Sequence, residues 1–353
     1  MRDLPISQNE WDNHECSAGG LAGRQLLDLG AIALSALEKR SIYRVLGRTG
    51  LRVSAIGVGT AALGMEYGIA PPEVSRRPGR SEALAVLRLA ARAGINLFDT
   101  APGYGESEEL LGEALEEFPR CYIATKISVR SLQGGRLPRS RIRSAVQHSL
   151  EKSLLRLRRE VLDILQIHNA TLDLLEDSEV LDALLVTRQQ GKVRFLGASV
   201  YTEAEALAAI EAGLLDVLQV PYNILDQTMA ERVFPSAQRA GIGIIVRSAL
   251  LKGLLTCSAK YFPPELAPLR QAAEQARSAL SASWNSLPAI ALRFCISAPQ
   301  GCATLVGVRS HEELKQAMGA WEAGPLPAEL LSLTPSLAAS DKQILNPSKW
   351  PVI

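Results

Sequence analysis

The chain of 353 residues has almost no surplus of charge of either sign, with 38 Lys and Arg against 37 Asp and Glu. No chain-wide field draws it to nucleic acid or to an anionic membrane, so a small molecule is the simpler partner. Its cysteines are few and scattered: Cys16, Cys121, Cys257, Cys295 and Cys302 are odd in number and never spaced C-x-x-C. That pattern indicates neither a disulfide framework nor a zinc site, and it fits a reducing cytoplasm. Long apolar runs are missing as well, none reaching the roughly 18 residues that span a bilayer. The start Met1-Arg-Asp-Leu-Pro-Ile6 has no basic stretch leading into an apolar one, so no secretory leader is expected.

What is present is a hydrophobic content of 47 % and a regular alternation of apolar runs with helical stretches from Val53 onward, the mark of repeated β-α units and a parallel sheet. Strands are expected at Ala55–Gly59, Ile95–Phe98, Cys121–Thr125, Leu162–Ile167, Val193–Gly197, Val217–Val220, Gly243–Val246 and Ala303–Val306. Eight is the closed-barrel number, and the length suits a single (β/α)8 TIM barrel. Ile142, Val146, Leu150, Leu154 and Leu157 form one apolar helical stripe. Gly94 and Gly191 sit where a helix ends and the chain turns into a strand. The connection between the seventh and eighth strands is longer than the others and holds Pro263-Pro264, a helical stretch near Leu266–Leu280 and a second helix starting at Pro288, the extra length being suited to covering a ligand. The expected organisation is a partly disordered extension over 1–40 with a helix near Leu26–Leu37, a barrel over 41–335, and a tail over 336–353 that folds back over the barrel mouth with Trp350 near substrate.

Ionisable residues close three of these strands. Asn96-Leu-Phe-Asp-Thr-Ala-Pro-Gly-Tyr-Gly105 ends a buried run in Asp99 and then Tyr104, Ala124-Thr-Lys126 ends in a lysine, and Gln166-Ile-His168 in a histidine. In a barrel, strand C-terminal ends face one mouth, so these side chains converge however far apart they lie in sequence. Singly each has a plainer reading: a helix-cap carboxylate, a packed tyrosine, a solvated lysine, a satisfied loop histidine. In this order and at these positions they resemble the aldo-keto reductase family, from about Tyr43 to the region of Met318.

The resemblance implies carbonyl reduction or its reverse with a nicotinamide cofactor. Tyr104 is the implied general acid/base, since a tyrosine hydroxyl can give a proton to the carbonyl oxygen. A free tyrosine has a pKa of about 10, so a neighbouring ammonium is needed, and Lys126 is the implied cation. Asp99 pairs with Lys126, and His168 hydrogen-bonds and orients the substrate oxygen. Gly57-Val-Gly59 is too short to be a Rossmann fingerprint, which leaves the cofactor to barrel loops. By resemblance Gly59 and Thr60 line it, Ser199 and Gln219 bind its carboxamide, and Tyr222 stacks on its ring. Arg247, Ser248, Leu250 and Gly253 belong to a phosphate-covering loop. After the last strand, Gly307, Arg309 and Ser310 open a helix whose N-terminus suits phosphate, and Arg309 points to the 2′-phosphate of NADP(H).

Three positions depart from the family pattern: Val200 follows Ser199 where asparagine is usual, and Gln316 and Ala317 stand where an acid and an asparagine contact adenosine. NADP(H) is therefore the preferred expectation, with NAD(H) open. The protein is expected to act on an aldehyde, a ketone or the corresponding alcohol as a cytoplasmic monomer or small homo-oligomer, with no metal. Two rival readings are a nicotinamide-binding regulatory subunit with little turnover and a Schiff-base lyase barrel using Lys126.

Overall fold

The computed structural model describes residues 43–69, 77–130, 135–298, 302–342 and 344–350. The helix expected near Leu26–Leu37 lies outside them, as does part of the loop after the first barrel strand.

A short antiparallel hairpin comes first, β1 (Tyr43–Val45) and β2 (Arg52–Ser54). Eight parallel strands then close a barrel: β3 (Ile56–Gly59), β4 (Leu97–Asp99), β5 (Tyr122–Ile127), β6 (Leu162–Ile167), β7 (Val193–Ser199), β8 (Val217–Pro221), β9 (Gly243–Arg247) and β10 (Cys302–Gly307). They are hydrogen-bonded in sequence order, and β10 closes onto β3. The eight expected strands are all found, with ends shifted by one or two residues because ladder pairing rather than hydropathy sets where a strand stops. The hairpin was not foreseen, since two three-residue strands are too short to show a period.

The hairpin is the floor of the barrel. Leu46, Leu51 and Val53 join Leu97, Ala124, Ile164, Val217, Ile245 and Ala303 in one buried cluster at the barrel centre. The main-chain N–H of Arg48 bonds the Gly241 carbonyl, and its guanidinium pairs with Asp216 at 3.0 Å, which ties the hairpin to the strand starts. A second and larger apolar layer lies between the outer strand faces and the helices. Ile142, Val146, Leu150 and Leu157 of helix Arg139–Leu157 belong to it, with Leu154 packed partly buried against it. The long connection after β9 carries the two expected helices, Ala267–Ala279 and Leu287–Ile296. No helix among the described residues is long and apolar enough to cross a membrane.

Candidate active site

Successive strand residues alternate between the two faces of a sheet, so position i+2 faces the way i does. Leu97, Ala124, Ile164, Val217 and Ile245 fill the barrel centre. Two residues further toward the C-terminal mouth stand Asp99, Lys126, Gln166, Gln219 and Arg247. The inner face thus changes from apolar to polar within one step on five strands. Ladder register sets these groups side by side: Asp99 is paired with Gly59 and Ala124, Lys126 with Gln166, and Ser199 with Gln219.

Lys126 is fully buried, and its Nζ donates to Asp99 Oδ1 at 2.5 Å and to the Thr100 carbonyl at 2.9 Å. The other carboxylate oxygen, Asp99 Oδ2, accepts from Gln166 Nε2 at 3.1 Å and Gln219 Nε2 at 2.7 Å. Every charge here has a partner, as a dry interior requires. Burial by itself pushes the Lys126 ammonium down, but the Asp99 carboxylate, and after it Tyr104, outweigh burial, and the net shift is upward. The ammonium lies 4.9 Å from the Tyr104 ring centre, and the His168 ring meets Tyr104 edge-on at 5.7 Å. Burial, then the positive charges of Lys126 and Arg247, push His168 down to about 3. The imidazole is therefore neutral at ordinary pH, able to donate one N–H and to accept at its other nitrogen.

The loop that carries Tyr104 is held by backbone against backbone. A Cβ on Gly64 would stand 2.1 Å from the Tyr104 carbonyl oxygen, and one on Gly105 would stand 2.2 Å from that of Gly64. Gly105 also takes φ +58°, which side chains of L residues disfavour. Ser107 Oγ donates to the Thr60 carbonyl at 2.8 Å, and the Glu106 N–H bonds the Gly64 carbonyl at 3.3 Å. The tyrosine is thereby fixed to the end of β3.

A cavity of about 390 Å³ opens over this mouth. It is lined by Asp99, Tyr104 and His168 and by the expected cofactor positions Gly59, Thr60, Ser199, Gln219, Arg247, Ser248, Leu250, Gly253, Gly307 and Arg309. Three expected residues stand elsewhere. Lys126 lies beneath the lining and acts on the cavity only through its neighbours. Ser310 is turned inward as a helix cap, its hydroxyl accepting from the Glu313 N–H at 3.2 Å. The Tyr222 ring is stacked on Phe294 and set edge-on to Phe234, each at 5.0 Å, and is absent from the cavity wall. The reason is local: Tyr222 follows Pro221, the last residue of β8, and is buried in the outer apolar layer instead of facing the barrel mouth. The aromatic rings that do line the cavity include Tyr67, Tyr201 and Trp284. Tyr201 lies 4.1 Å from the Arg247 guanidinium, whose Nη2 donates to the Val200 carbonyl at 2.8 Å.

The cavity suits a dinucleotide on its own geometry. Gly307 has nothing within 4 Å of where a Cβ would stand, and at Gly59 the nearest atom is 3.8 Å away, so both leave room against the wall. Gln219 is oriented by its bonds to Asp99 and to the Ser199 hydroxyl, the latter at 3.3 Å, and both groups face the cavity. In the loop after β9, Ser248, Leu251, Lys252 and Gly253 all have positive φ, a backbone shape that can gather N–H groups around an anion. The tail folds back onto the loop after β9, but Trp350, expected near substrate, is not among the residues that line the cavity. Trp350 packs on Phe262 and donates to the Ile344 carbonyl at 2.7 Å, and Lys252 Nζ reaches the Pro347 carbonyl at 3.3 Å.

The depressed His168 gives a pH prediction. Its folded pKa lies below the ordinary 6.5, so as pH falls the unfolded chain takes up the proton first and the fold is disfavoured. The stability that neutral His168 contributes is complete above about 6.5 and is lost as pH falls from there toward about 3. Urea midpoints of His168→Gln should therefore fall less steeply than those of the wild type across that window. Parallel slopes would refute the assignment.

Comparison with known proteins agrees with this geometry. The model of the Aldo/keto reductase family matches residues 55–337. An L-galactose dehydrogenase of Arabidopsis thaliana is 31 % identical over 329 residues, which cover 87 % of this chain and 96 % of the plant protein. An NADH-specific methylglyoxal reductase of Escherichia coli is 31 % identical over 231 residues, covering 60 % of this chain and 68 % of that enzyme. Among solved structures, a holo-form aldo-keto reductase of Bacillus halodurans superposes with a TM-score of 0.68 at 27 % identity, covering 85 % of this chain and 97 % of the other. With its closed eight-strand barrel, its polar mouth and a family match across nearly the whole described fold, this chain belongs to the aldo/keto reductase family of NAD(P)H-dependent oxidoreductases.

Proposed function

We propose that the protein interconverts a small polar aldehyde or ketone and its alcohol, with Tyr104 as the proton donor in reduction and the proton acceptor in oxidation. The observation that carries this reading is the chain Asp99–Lys126–Tyr104–His168 at the mouth of a cavity walled by Ser199, Gln219 and the loop after β9.

When bound, a reduced nicotinamide supplies hydride for the carbonyl carbon. Ser199 and Gln219 would hold its carboxamide, Ser248, Leu250 and Gly253 would surround its phosphates, and Arg309 would meet its adenosine end. The substrate oxygen then lies between Tyr104 and His168. Neutral His168 donates a hydrogen bond to it and fixes its direction. Tyr104 transfers its hydroxyl proton to the same oxygen, so O–H breaks on the tyrosine as O–H forms on the alcohol, and the negative charge stays on the phenolate. Lys126 stabilises that phenolate from 4.9 Å below the ring centre, and Asp99 keeps the ammonium in place. Solvent returns the proton to Tyr104 through the open side of the cavity.

The relatives' names fit this class, since galactose and methylglyoxal are both small polar carbonyl compounds. A Schiff-base role suits Lys126 poorly, because the amine that must attack is fully buried and held as an ammonium by Asp99. Cys121, Cys295 and Cys302 are buried thiols, in keeping with a reducing compartment such as the cytoplasm.

The test is consumption of NADH and NADPH by the purified protein against a panel of aldehydes and sugars, with the alcohols run in reverse. Turnover on at least one pair is expected. Tight nucleotide binding with no turnover in either direction would replace this reading with that of a regulatory subunit.

A further inference from the structure

Arg309 follows β10 and shares the cavity wall with Glu313, one turn into helix His311–Ala323. Its guanidinium is already engaged. Nη2 donates to Glu313 Oε1 at 2.7 Å and Nε to the same oxygen at 3.1 Å, while the main-chain N–H of Arg309 donates to Oε2 at 2.7 Å. One carboxylate thus holds both the side chain and the backbone of the arginine. The pair is not sealed off, the two side chains being 23 % and 35 % exposed.

An unpaired guanidinium attracts a phosphate dianion strongly. A guanidinium paired with a carboxylate makes a unit of no net charge, and the carboxylate brings lone pairs that accept from hydroxyls and repel phosphate. A 2′-phosphate at Arg309 must either displace charge-assisted bonds or lie against Glu313. The other cations on the wall do not compensate. Arg247 is bonded to the Val200 carbonyl and the Ser248 hydroxyl, and Lys252 is turned to Pro347 and the Trp350 ring. Gln316 and Ala317, also on the wall beside this pair, are uncharged.

We propose that Glu313 neutralises Arg309 and offers its carboxylate to the 2′-hydroxyl of the adenosine ribose, so that the cavity selects NAD(H) over NADP(H). The inference rests on the reading of this cavity as a nicotinamide dinucleotide site, and it shifts the preference that Arg309 alone suggests.

The experiment is titration of the full chain with NADH and with NADPH, read by quenching of tryptophan fluorescence, Trp284 being on the cavity wall. Wild-type protein is expected to bind NADH about tenfold or more tightly than NADPH, the scale of one charge-assisted bond. Glu313→Gln keeps an acceptor for the Arg309 N–H but removes the charge, and it should tighten NADPH by about tenfold while weakening NADH, whose 2′-hydroxyl bond loses its charge assistance. Competition by 2′,5′-ADP against 5′-AMP in the wild type gives a second measurement free of any variant, and 5′-AMP should displace NADH at the lower concentration. Tighter NADPH than NADH in the wild type, or an unchanged ratio in a folded Glu313→Gln, overturns the role of Glu313 and leaves the dinucleotide site standing. Failure of both nucleotides to bind the wild type overturns the site itself, and this inference with it.

Discussion

Replacing Tyr104 with phenylalanine should reduce carbonyl turnover by about two to four powers of ten, the usual contribution of a positioned general acid, while leaving nucleotide binding at the wild-type level. The change removes one oxygen atom and keeps the ring, so its edge contact with His168 and its place above Lys126 are retained. The backbone grip of Gly64 on the loop does not involve the side chain and holds the phenyl where the phenol was. kcat and kcat/KM should fall together, because the lost interaction is made in the transition state and not in the ground-state complex. Unchanged turnover in a variant that still binds nucleotide would end the proposed acid role.

The second large effect is expected at Lys126. Lys126→Met keeps the length and much of the volume of the side chain but removes the cation from a site with no solvent to replace it. Asp99 then retains only the amide donors of Gln166 and Gln219, on one of its two oxygens. Breaking one side of a buried ion pair costs about 3–5 kcal/mol, which a urea unfolding midpoint will register. Activity per folded molecule should also fall by about a thousandfold, since the phenolate left by Tyr104 loses its counter-charge. The double change Lys126→Met with Asp99→Asn should recover part of the stability and none of the activity. A double variant no more stable than Lys126→Met would show that pairing with Asp99 is not what the lysine contributes.

The barrel was legible in the sequence because strands buried on both faces leave near-continuous apolar runs, as at Ile242-Gly-Ile-Ile-Val246, and because helix-ending glycines mark the units between them. Asp99, Lys126 and His168 were legible for a related reason: a charged or titratable residue closing an apolar run has few structural uses. Gln166 was passed over as part of the strand it closes. Its role as a donor to Asp99 depends on a neighbour set by barrel closure and not by sequence distance. Tyr222 was expected on the cavity wall and is found packed with Phe234 and Phe294, whose proximity no local pattern announces. Glu313 did have a local signal, lying four residues after Arg309 in the first turn of a helix that Arg309 just precedes, close enough in sequence for the opposite charges to meet.

The contact between Gly64 and the Tyr104 loop bears on how far this barrel can be redesigned. The segment that follows Gly64, whose backbone is wedged against the Tyr104 loop, puts Tyr67, Gly68 and Ile69 on the cavity wall and is therefore an obvious target for altering which substrates are accepted. A graft that lengthens or re-routes the segment would pull on Gly64 and so on Tyr104, which the proposed acid role requires to be held within a fraction of an ångström. Selectivity and chemical competence are mechanically joined on this side of the mouth. The C-terminal tail offers no separate route, because it meets the loop after β9 through Lys252, whose own carbonyl accepts from the Ile69 N–H of that same segment at 3.0 Å.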